Sequence, residues 1–304
     1  MRIGFVGLGL MGTPMARNLV RAGFEVVVHG RNAATLAQLG AEGARVAGSL
    51  RQVAADVDVL CSCRVTPQHS RDVFLGPDGA AAAGRPGLLC IDFATIDPAT
   101  SRAIAAELAS REMQFLDAPV SGGPQGAANA TLSIMVGGSD ADVARARPLL
   151  EVLGDALVHV GDRPGDGDAA KTINNMLSAT NLAAAAEALA MGMRAGLDPE
   201  RLVDCVNGGT GASHAMRAKV GGHVLTGTFG SRFTLGQYLK DLGIARGLAD
   251  DHRVPTPVNG AAHALWTEQA ARGHADEDHT RMVALLLADA GVDRTPQPTE
   301  TRRS

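Results

Sequence analysis

A short apolar run, Arg2-Ile3-Gly4-Phe5-Val6, passes without a break into Gly7-Leu8-Gly9-Leu10-Met11-Gly12. A strand feeding a G-x-G-x-x-G turn, with a helical stretch (residues 13–22) directly behind it, restricts the possible folds more than anything else in the chain. The first glycine serves the tight turn, the second lets backbone N–H groups approach a pyrophosphate, and the third lets the helix pack on the strand. The anion then rests on the helix N-terminus, where unpaired N–H groups and the dipole favour negative charge. A glycine triplet alone is weak evidence in a chain holding 37 glycines. Here a second strand, residues 25–29, follows at the spacing of a βαβ unit, so residues 7–12 are expected to bind a dinucleotide.

The end of that second strand bears on which dinucleotide. After Val26-Val27-Val28 the chain reads His29-Gly30-Arg31-Asn32, and no acid stands between Val26 and Thr35 to hold a ribose 2′-hydroxyl. Arg31 stands there instead, and a guanidinium suits a 2′-phosphate, with Asn32 as a further donor beside it. The expectation is NADP(H) in preference to NAD(H), with NAD(H) still possible. In the alternative reading Arg31 is an ordinary solvated loop arginine.

Strand-like and helix-like segments continue to alternate through the first half. Residues 55–63, 87–92, 115–120, 133–137 and 156–161 read as strands, and residues 98–111 as one of the intervening helices. The character changes after the turn-rich Gly161-Asp162-Arg163-Pro164-Gly165. Residues 169–195 contain no Gly or Pro except Gly192, are rich in alanine, and predict one long, largely apolar helix. Helical patterns follow at 199–206, 213–220, 235–251, 258–272 and 279–290. The fold class is therefore α/β: an N-terminal doubly wound sheet of Rossmann type, then an all-helical C-terminal domain joined to it by a long helix. Residues 1–163 are expected to form the cofactor domain, 164–292 a substrate and oligomerisation domain, and 293–304 a mobile polar tail. No internal repeat is visible.

Composition excludes several other classes. A length of 304 residues suits two domains, and a formal charge of −4 gives no reason to expect nucleic acid or an acidic membrane. Trp266 and Tyr238 are the only residues of their types, so stacking platforms for single strands are missing. Cys61, Cys63, Cys90 and Cys205 lack metal-ligand spacing, and no metal is expected. No signal peptide or membrane span is read, so the expected setting is a reducing cytoplasm. The long apolar helix needs other helices to cover it, which predicts a homodimer or homotetramer built through the helical half.

Three further segments could carry chemistry. Lys171 and Asn175 stand four residues apart on the long helix and so share a face. Asparagine is a poor helix-interior residue, and the pair Asn174-Asn175 asks for a reason beyond propensity. A lysine ammonium can protonate a carbonyl oxygen during hydride delivery, or accept the hydroxyl proton in reverse. Taken alone, a lysine such as Lys171 is more often a surface lysine. The cluster Asp117-Ala118-Pro119-Val120-Ser121-Gly122-Gly123-Pro124 follows a strand, and its N–H groups with the Ser121 hydroxyl suit a carboxylate; otherwise it is a glycine-rich connection. Lys240-Asp241 by itself is a helical charge pair.

Together these stretches resemble the β-hydroxyacid dehydrogenases, the group that includes 3-hydroxyisobutyrate dehydrogenase and tartronate semialdehyde reductase. The resemblance rests on residues 7–19, 117–123, 171–175 and Lys240-Asp241-Leu242, which keep the family's order and spacing. It implies a carboxylate site at Ser121, Gly122 and Gly123, a catalytic Lys171, a substrate-binding Asn175, and Thr95 and Lys240 beside the nicotinamide. Three departures stand out. Arg64-Val65 replaces the family's usual Leu-Pro at the cofactor groove, Asp92-Phe93-Ala94-Thr95 lacks a serine, and Ala130-Thr131-Leu132 replaces Gly-Thr-Leu. Arg64 follows a strand whose C-terminal end should border the cofactor cleft, where it meets an anion or points to solvent.

The expected activity is hydride transfer between NADP(H) and a small 3-hydroxy acid or its semialdehyde. A small carboxylate is the expected partner, and neither nucleic acid nor a membrane is. The rival readings are an imine reductase of similar fold and a cofactor-binding module without turnover. Both fit less well with a lysine at position 171.

Overall fold

The computed structural model describes residues 1–83 and 85–292, and the expected tail from residue 293 lies outside them. The chain divides into two compact units, Met1–Thr172 and the remainder from Ile173.

The first unit is built on one sheet. Its strands are β1 (Arg2–Val6), β2 (Glu25–His29), β3 (Arg45–Val46), β4 (Val59–Ser62), β5 (Leu89–Asp92), β6 (Gln114–Asp117), β7 (Val120–Ser121), β8 (Ser133–Gly137) and β9 (Ala156–Gly161). They run in the order β3-β2-β1-β4-β5-β6-β8-β7, with β9 on β8. From β3 to β6 every pairing is parallel. The strand β8 then runs antiparallel to both β6 and β7. Helices connect the parallel strands: α1 (Gly12–Arg21), α2 (Ala33–Ala41), α3 (Leu50–Asp56), α4 (Pro67–Leu75), α5 (Ala80–Ala83) and α6 (Pro98–Ala109). Beyond β7 and β8 come α7 (Gly123–Asn129) and α8 (Asp140–Leu150).

Alternate residues of the central strands supply two separate cores, as a sheet covered on both faces requires. Ile3, Phe5, Cys61 and Ile91 pack with Met15 and Leu19 of α1 and Leu149 of α8. Val6, Leu60, Cys90 and Phe115 pack with Val53 of α3, Phe74 of α4 and Ile104 of α6. Each such side chain, fully buried, contributes about 1.5–3 kcal/mol of transfer free energy. Successive strands are laid down in one direction from β1 and in the other from β4. The reversal creates a crevice at the C-terminal ends of β1 and β4, where open α/β sheets take their ligands.

The doubly wound sheet stands as expected, with local differences. The segment 55–63 begins as the end of α3, because Asp56 turns outward to pair with Arg2 and Arg45. The run 115–120 breaks at Pro119, so that β6 stops at Asp117 and Val120–Ser121 turns back to pair with β8. Proline lacks the N–H that a continuous strand would need there.

The second unit is all-helical. It holds most of α9 (Asp166–Arg194), then α10 (Pro199–Gly208), a π-helical segment (Ala215–Val224), α11 (Leu235–Asp251), α12 (Pro257–Gln269), a π-turn (Ala270–His274) and α13 (Arg281–Asp289). Leu182 and Leu189 of α9 share its core with Val220, Leu242, Trp266 and Met282. The helix expected to run to residue 272 is α-helical to Gln269 and continues as the π-turn Ala270–His274, which Gly273 interrupts with φ +101°, outside helical space. Among the described residues no helix is long and apolar enough to cross a membrane, and no cluster of His, Cys, Asp or Glu could hold a metal ion.

Candidate functional site

In the first unit the crevice is lined by the glycine turn. A side chain on Gly7, whose φ is +88°, would lie 2.2 Å from the Cys63 carbonyl oxygen, and one on Gly12 would lie 2.1 Å from the Gly7 carbonyl oxygen. Both contacts are backbone, so neither can yield. Gly9 differs: a Cβ there would meet nothing of the protein within 4 Å. Its missing side chain therefore leaves room for something outside the chain. Beside it, α1 starts at Met11 with no side-chain cap and no acid in its first turn. Orphan N–H groups next to an open backbone fit a dinucleotide pyrophosphate. Leu8 is half-buried, Leu10 is exposed, and Met11 packs against the core.

The neighbouring strands bring further expected residues to this edge. Val6 pairs with His29 and with Ser62, so residues 30–32 and 63–65 leave the sheet beside the glycine turn. Gly30 faces the Leu8 side chain. Arg31 is exposed, and Asn32 caps α2 by accepting from the Thr35 N–H at 3.0 Å. The cap uses the carboxamide oxygen, so Nδ2 is the atom suited to donate to a ligand. Arg64 lays its side chain against Gly7, its Cδ 3.0 Å from where a Gly7 Cβ would stand, and Val65 is exposed. Thr95 lies half-buried just beyond β5. Ser121 ends β7, and Gly122 and Gly123 lead directly into α7, whose start has no side-chain cap.

Acids that sequence reasoning did not assign sit beneath this edge. Asp117 accepts from the Gly165 N–H at 2.6 Å and from the Asp168 N–H at 2.7 Å, which anchors the first turn of α9 to β6. Asp168 in turn accepts from the Ser101 hydroxyl at 2.5 Å. Burial drives the carboxyl groups of both Asp117 and Asp168 well above the usual range, and their proximity adds to the shift of Asp168. Burial also pushes Asp92 up to about 6, against the Ser70 and Ser62 hydroxyls and the Ala94 N–H. The available signal was Asp117 itself, a charge closing an apolar strand ahead of a glycine cluster. The anchored helix then carries Lys171, which is only 6% exposed. A surface lysine is excluded. Cys61 and Cys90 are fully buried, and burial raises their thiols, as it raises Cys63 to about 12, so these cysteines are inert packing groups.

The second unit supplies the other set. Asn175, one helical turn beyond Lys171 on α9, is 8% exposed and donates through Nδ2 to Asp241 at 2.6 Å. Its oxygen accepts from Asn174 at 3.1 Å. Lys240 lies 3.1 Å from the other Asp241 oxygen. Asn175 and Lys240, singled out separately in the sequence, thus meet through Asp241. A buried lysine that the sequence reading did not single out, Lys219, donates to Ser178 at 2.8 Å and to the Tyr238 hydroxyl.

Comparison with known proteins matches both halves of the chain. The profile of the NAD binding domain of 6-phosphogluconate dehydrogenase matches residues 2–161. That of the NAD-binding region of NADP-dependent 3-hydroxyisobutyrate dehydrogenase matches residues 165–286. The chain is 35% identical over 291 residues to 2-(hydroxymethyl)glutarate dehydrogenase of Eubacterium barkeri, covering 96% of each chain. A 3-hydroxyisobutyrate dehydrogenase structure from Mycobacterium tuberculosis, solved with L-serine, superposes with a TM-score of 0.85 at 36% identity, over 94% of this chain and 98% of that one. An imine reductase from Myxococcus stipitatus shares the fold, with a TM-score of 0.64 at 20% identity over 94% of this chain and 99% of that one. With both halves matched, this chain belongs to the β-hydroxyacid dehydrogenases, NAD(P)-dependent enzymes acting on 3-hydroxy acids and semialdehydes.

Proposed function

We propose that this enzyme prefers NADP(H) and transfers hydride between it and a small 3-hydroxy acid or the matching semialdehyde, with Lys171 as general acid and base. The observation that carries the reading is the burial of Lys171 on a helix start held in place by Asp117. When bound, the nicotinamide supplies the hydride. The glycine turn of residues 7–12 takes the pyrophosphate, Arg31 and Asn32 the 2′-phosphate, and Arg64, Val65, Thr95 and Lys240 line the cofactor. Ser121, Gly122 and Gly123 hold the substrate carboxylate, and Asn175 aligns the reacting oxygen. Lys171 gives its proton to that oxygen in reduction and takes it back in oxidation.

Residues 164–292 are read as the substrate and oligomerisation domain. Ile173, Leu177 and Met191 are exposed on α9 and share one face at helical spacing, which supports pairing with a second copy. Light scattering should give a dimer or tetramer at micromolar concentration. A screen of NADPH- and NADP+-linked turnover over small semialdehydes, 3-hydroxy acids, 2-oxo acids and cyclic imines tests the activity. Lys171→Ala should lower turnover about 10²- to 10⁴-fold with cofactor affinity kept. Turnover within a few-fold of the parent would remove Lys171 from the chemistry, and turnover of imines alone would favour the imine reductase reading.

A further inference from the structure

Asp168 is fully buried in the first turn of α9, three residues before Lys171. Its carboxyl reaches across to α6, where it accepts from the Ser101 hydroxyl at 2.5 Å. The Ile96 N–H, just ahead of α6, also acts on this carboxyl and favours its charged form. One carboxyl thus joins the start of α9 to the start of α6 and to the loop in front of it. That loop, residues 93–97, carries Thr95. Its other end is held at the edge of the sheet. Asp92 of β5 accepts from the Ala94 N–H at 3.2 Å, and the Phe93 N–H donates to the Ser62 carbonyl at 2.8 Å.

The two helix starts are seated with little tolerance. Gly165 holds φ +94°, and a Cβ there would lie 2.7 Å from the carbonyl oxygen of Pro98, the first residue of α6. A Cβ on Gly167 would lie 2.5 Å from the Met135 carbonyl oxygen and 2.9 Å from that of Asp117. From the β6 side, Asp117 takes up the Gly165 and Asp168 N–H groups. The first turn of α9 is therefore wedged between α6 and the sheet, and close-packed contacts of this kind pass a local shift on to what the helix carries. Residues three apart on a helix leave it on one face, with Cβ atoms roughly 5–6 Å apart, so Lys171 shares a face with Asp168. The acid is also an expensive choice for a packing role. Burial raises it, and the Asp117 and Asp92 carboxyls raise it further. Groups perturbed in this way gather at functional sites.

We propose that Asp168 is a positioning residue for hydride transfer, a clasp between α9 and α6 that fixes where Lys171 stands relative to Thr95. The inference rests on the reading of Lys171 as general acid and base and of Thr95 as a residue beside the nicotinamide. Buried from solvent, Asp168 acts through the two helix starts, with the proton donor one turn along α9 and Thr95 just ahead of α6. Proton and hydride must arrive on one carbonyl group, and a misplacement of about 1 Å costs about a hundredfold in rate.

The test follows oxidation of 3-hydroxypropanoate and 3-hydroxy-2-methylpropanoate with NADP+ and with NAD+. Asp168→Ala should lower kcat about ten- to a hundredfold, while the KM for the hydroxy acid and the NADPH dissociation constant, read by fluorescence titration, stay within about threefold of the parent. Asp168→Asn should bring kcat back to within about threefold of the parent, because a carboxamide can accept from Ile96 and donate to Ser101. In a Lys171→Ala background, Asp168→Ala should cost no more than about a further twofold, since a positioning residue acts through the group it positions. Amide hydrogen exchange reads the clasp without turnover: Asp168→Ala should speed exchange in residues 93–97 and leave β1 and β4 unchanged. A kcat for Asp168→Ala within about twofold of the parent overturns the proposal, as does unchanged exchange in residues 93–97. Equal changes in kcat, KM and the NADPH constant, or the full loss repeated without Lys171, mark a structural acid and also overturn it. So does a failure of Asp168→Asn to restore kcat. Should Asp168→Ala not fold, Ser101→Ala opens the α6 end of the clasp alone and is judged by the same readouts, with a loss in kcat of about three- to tenfold. Lys171→Ala turnover within a few-fold of the parent, or a parent that oxidises neither acid, overturns the reading beneath, and the exchange measurement then judges the clasp by itself.

Discussion

The Asn175 carboxamide donates to the buried Asp241 carboxylate at 2.6 Å, across 66 residues of sequence. That bond fixes which way the carboxamide faces, and the Asn174 side chain secures the oxygen end. Asp241→Ala should let the carboxamide rotate and raise the Michaelis constant for the hydroxy acid about tenfold, roughly 1.4 kcal/mol. Asp241→Asn keeps an acceptor oxygen and should cost less. Steady-state kinetics checks both, and Michaelis constants within twofold of the parent in both variants would show that Asp241 does not position Asn175.

The proposed preference for NADP(H) rests on Arg31. It is exposed at the end of β2, next to the glycine turn, with no acid between Val26 and Thr35. Arg31→Ala should weaken NADP(H) by about 1.5–3 kcal/mol, the scale of one charged hydrogen-bonding group, and leave NAD(H) nearly unchanged. Dissociation constants measured for both cofactors decide the matter. Equal losses would mean that Arg31 does not read the 2′-phosphate.

A pH effect follows from the buried acids. Asp117 is pushed up to about 7 by burial, and Asp168 is raised as well. In the unfolded chain both titrate near the ordinary value of about 3.9. Between these limits the folded state binds more protons than the unfolded one at these two groups, so their contribution to stability is full below about pH 4 and is lost as pH rises through about 7. Asp168→Asn removes one of the two charges while keeping a partner for Ser101. Its stability relative to the parent should rise between pH 5 and pH 8 by more than about 1 kcal/mol, measured by urea unfolding. A difference that stays flat across that range would contradict a protonated pair.

Ala130 gives a simpler case. It closes α7 with φ +59°, in the left-handed region, where an alanine carries strain and a glycine does not. Ala130→Gly should stabilise the protein by about 0.5–1 kcal/mol, the relief of strain less the entropy that glycine adds to the unfolded chain. A lower unfolding midpoint in the variant would show that the strain is relieved by other means.

The parts of this fold that were legible in the sequence are those written locally. Gly7, Gly9 and Gly12 stand beside the strand and helix that need them, and Lys171 and Asn175 are one turn apart by spacing alone. The pieces that were not legible are contacts between distant segments. Asp241 holds Asn175 from another helix, Asp117 anchors α9 from β6, and Lys219 reaches Ser178 over 41 residues. A buried polar side chain leaves no periodic trace, because its partner is chosen by packing and not by spacing. The π-helical segment around Lys219 reads in sequence as an ordinary helix for the same reason, since the extra residue per turn is set by what the segment packs against.

Arg64 is where the chain leaves its family's pattern, and its position constrains what it can do. The residue follows β4, whose last residue Ser62 pairs with Val6, and its Cδ lies 3.0 Å from the place a Gly7 side chain would occupy. The stem therefore lies along the glycine turn at the point where the strand order reverses. A guanidinium there is suited to a phosphate oxygen, since it offers several donors in one plane. Arg64→Leu keeps the apolar stem and removes the charge, so packing on Gly7 is largely retained. The Michaelis constant for the cofactor should rise about tenfold, roughly 1.4 kcal/mol, and that for the hydroxy acid should change little. A rise confined to the hydroxy acid would reassign Arg64 to the substrate carboxylate, and no change in either constant, with the fold intact, would leave it a packing residue of the turn.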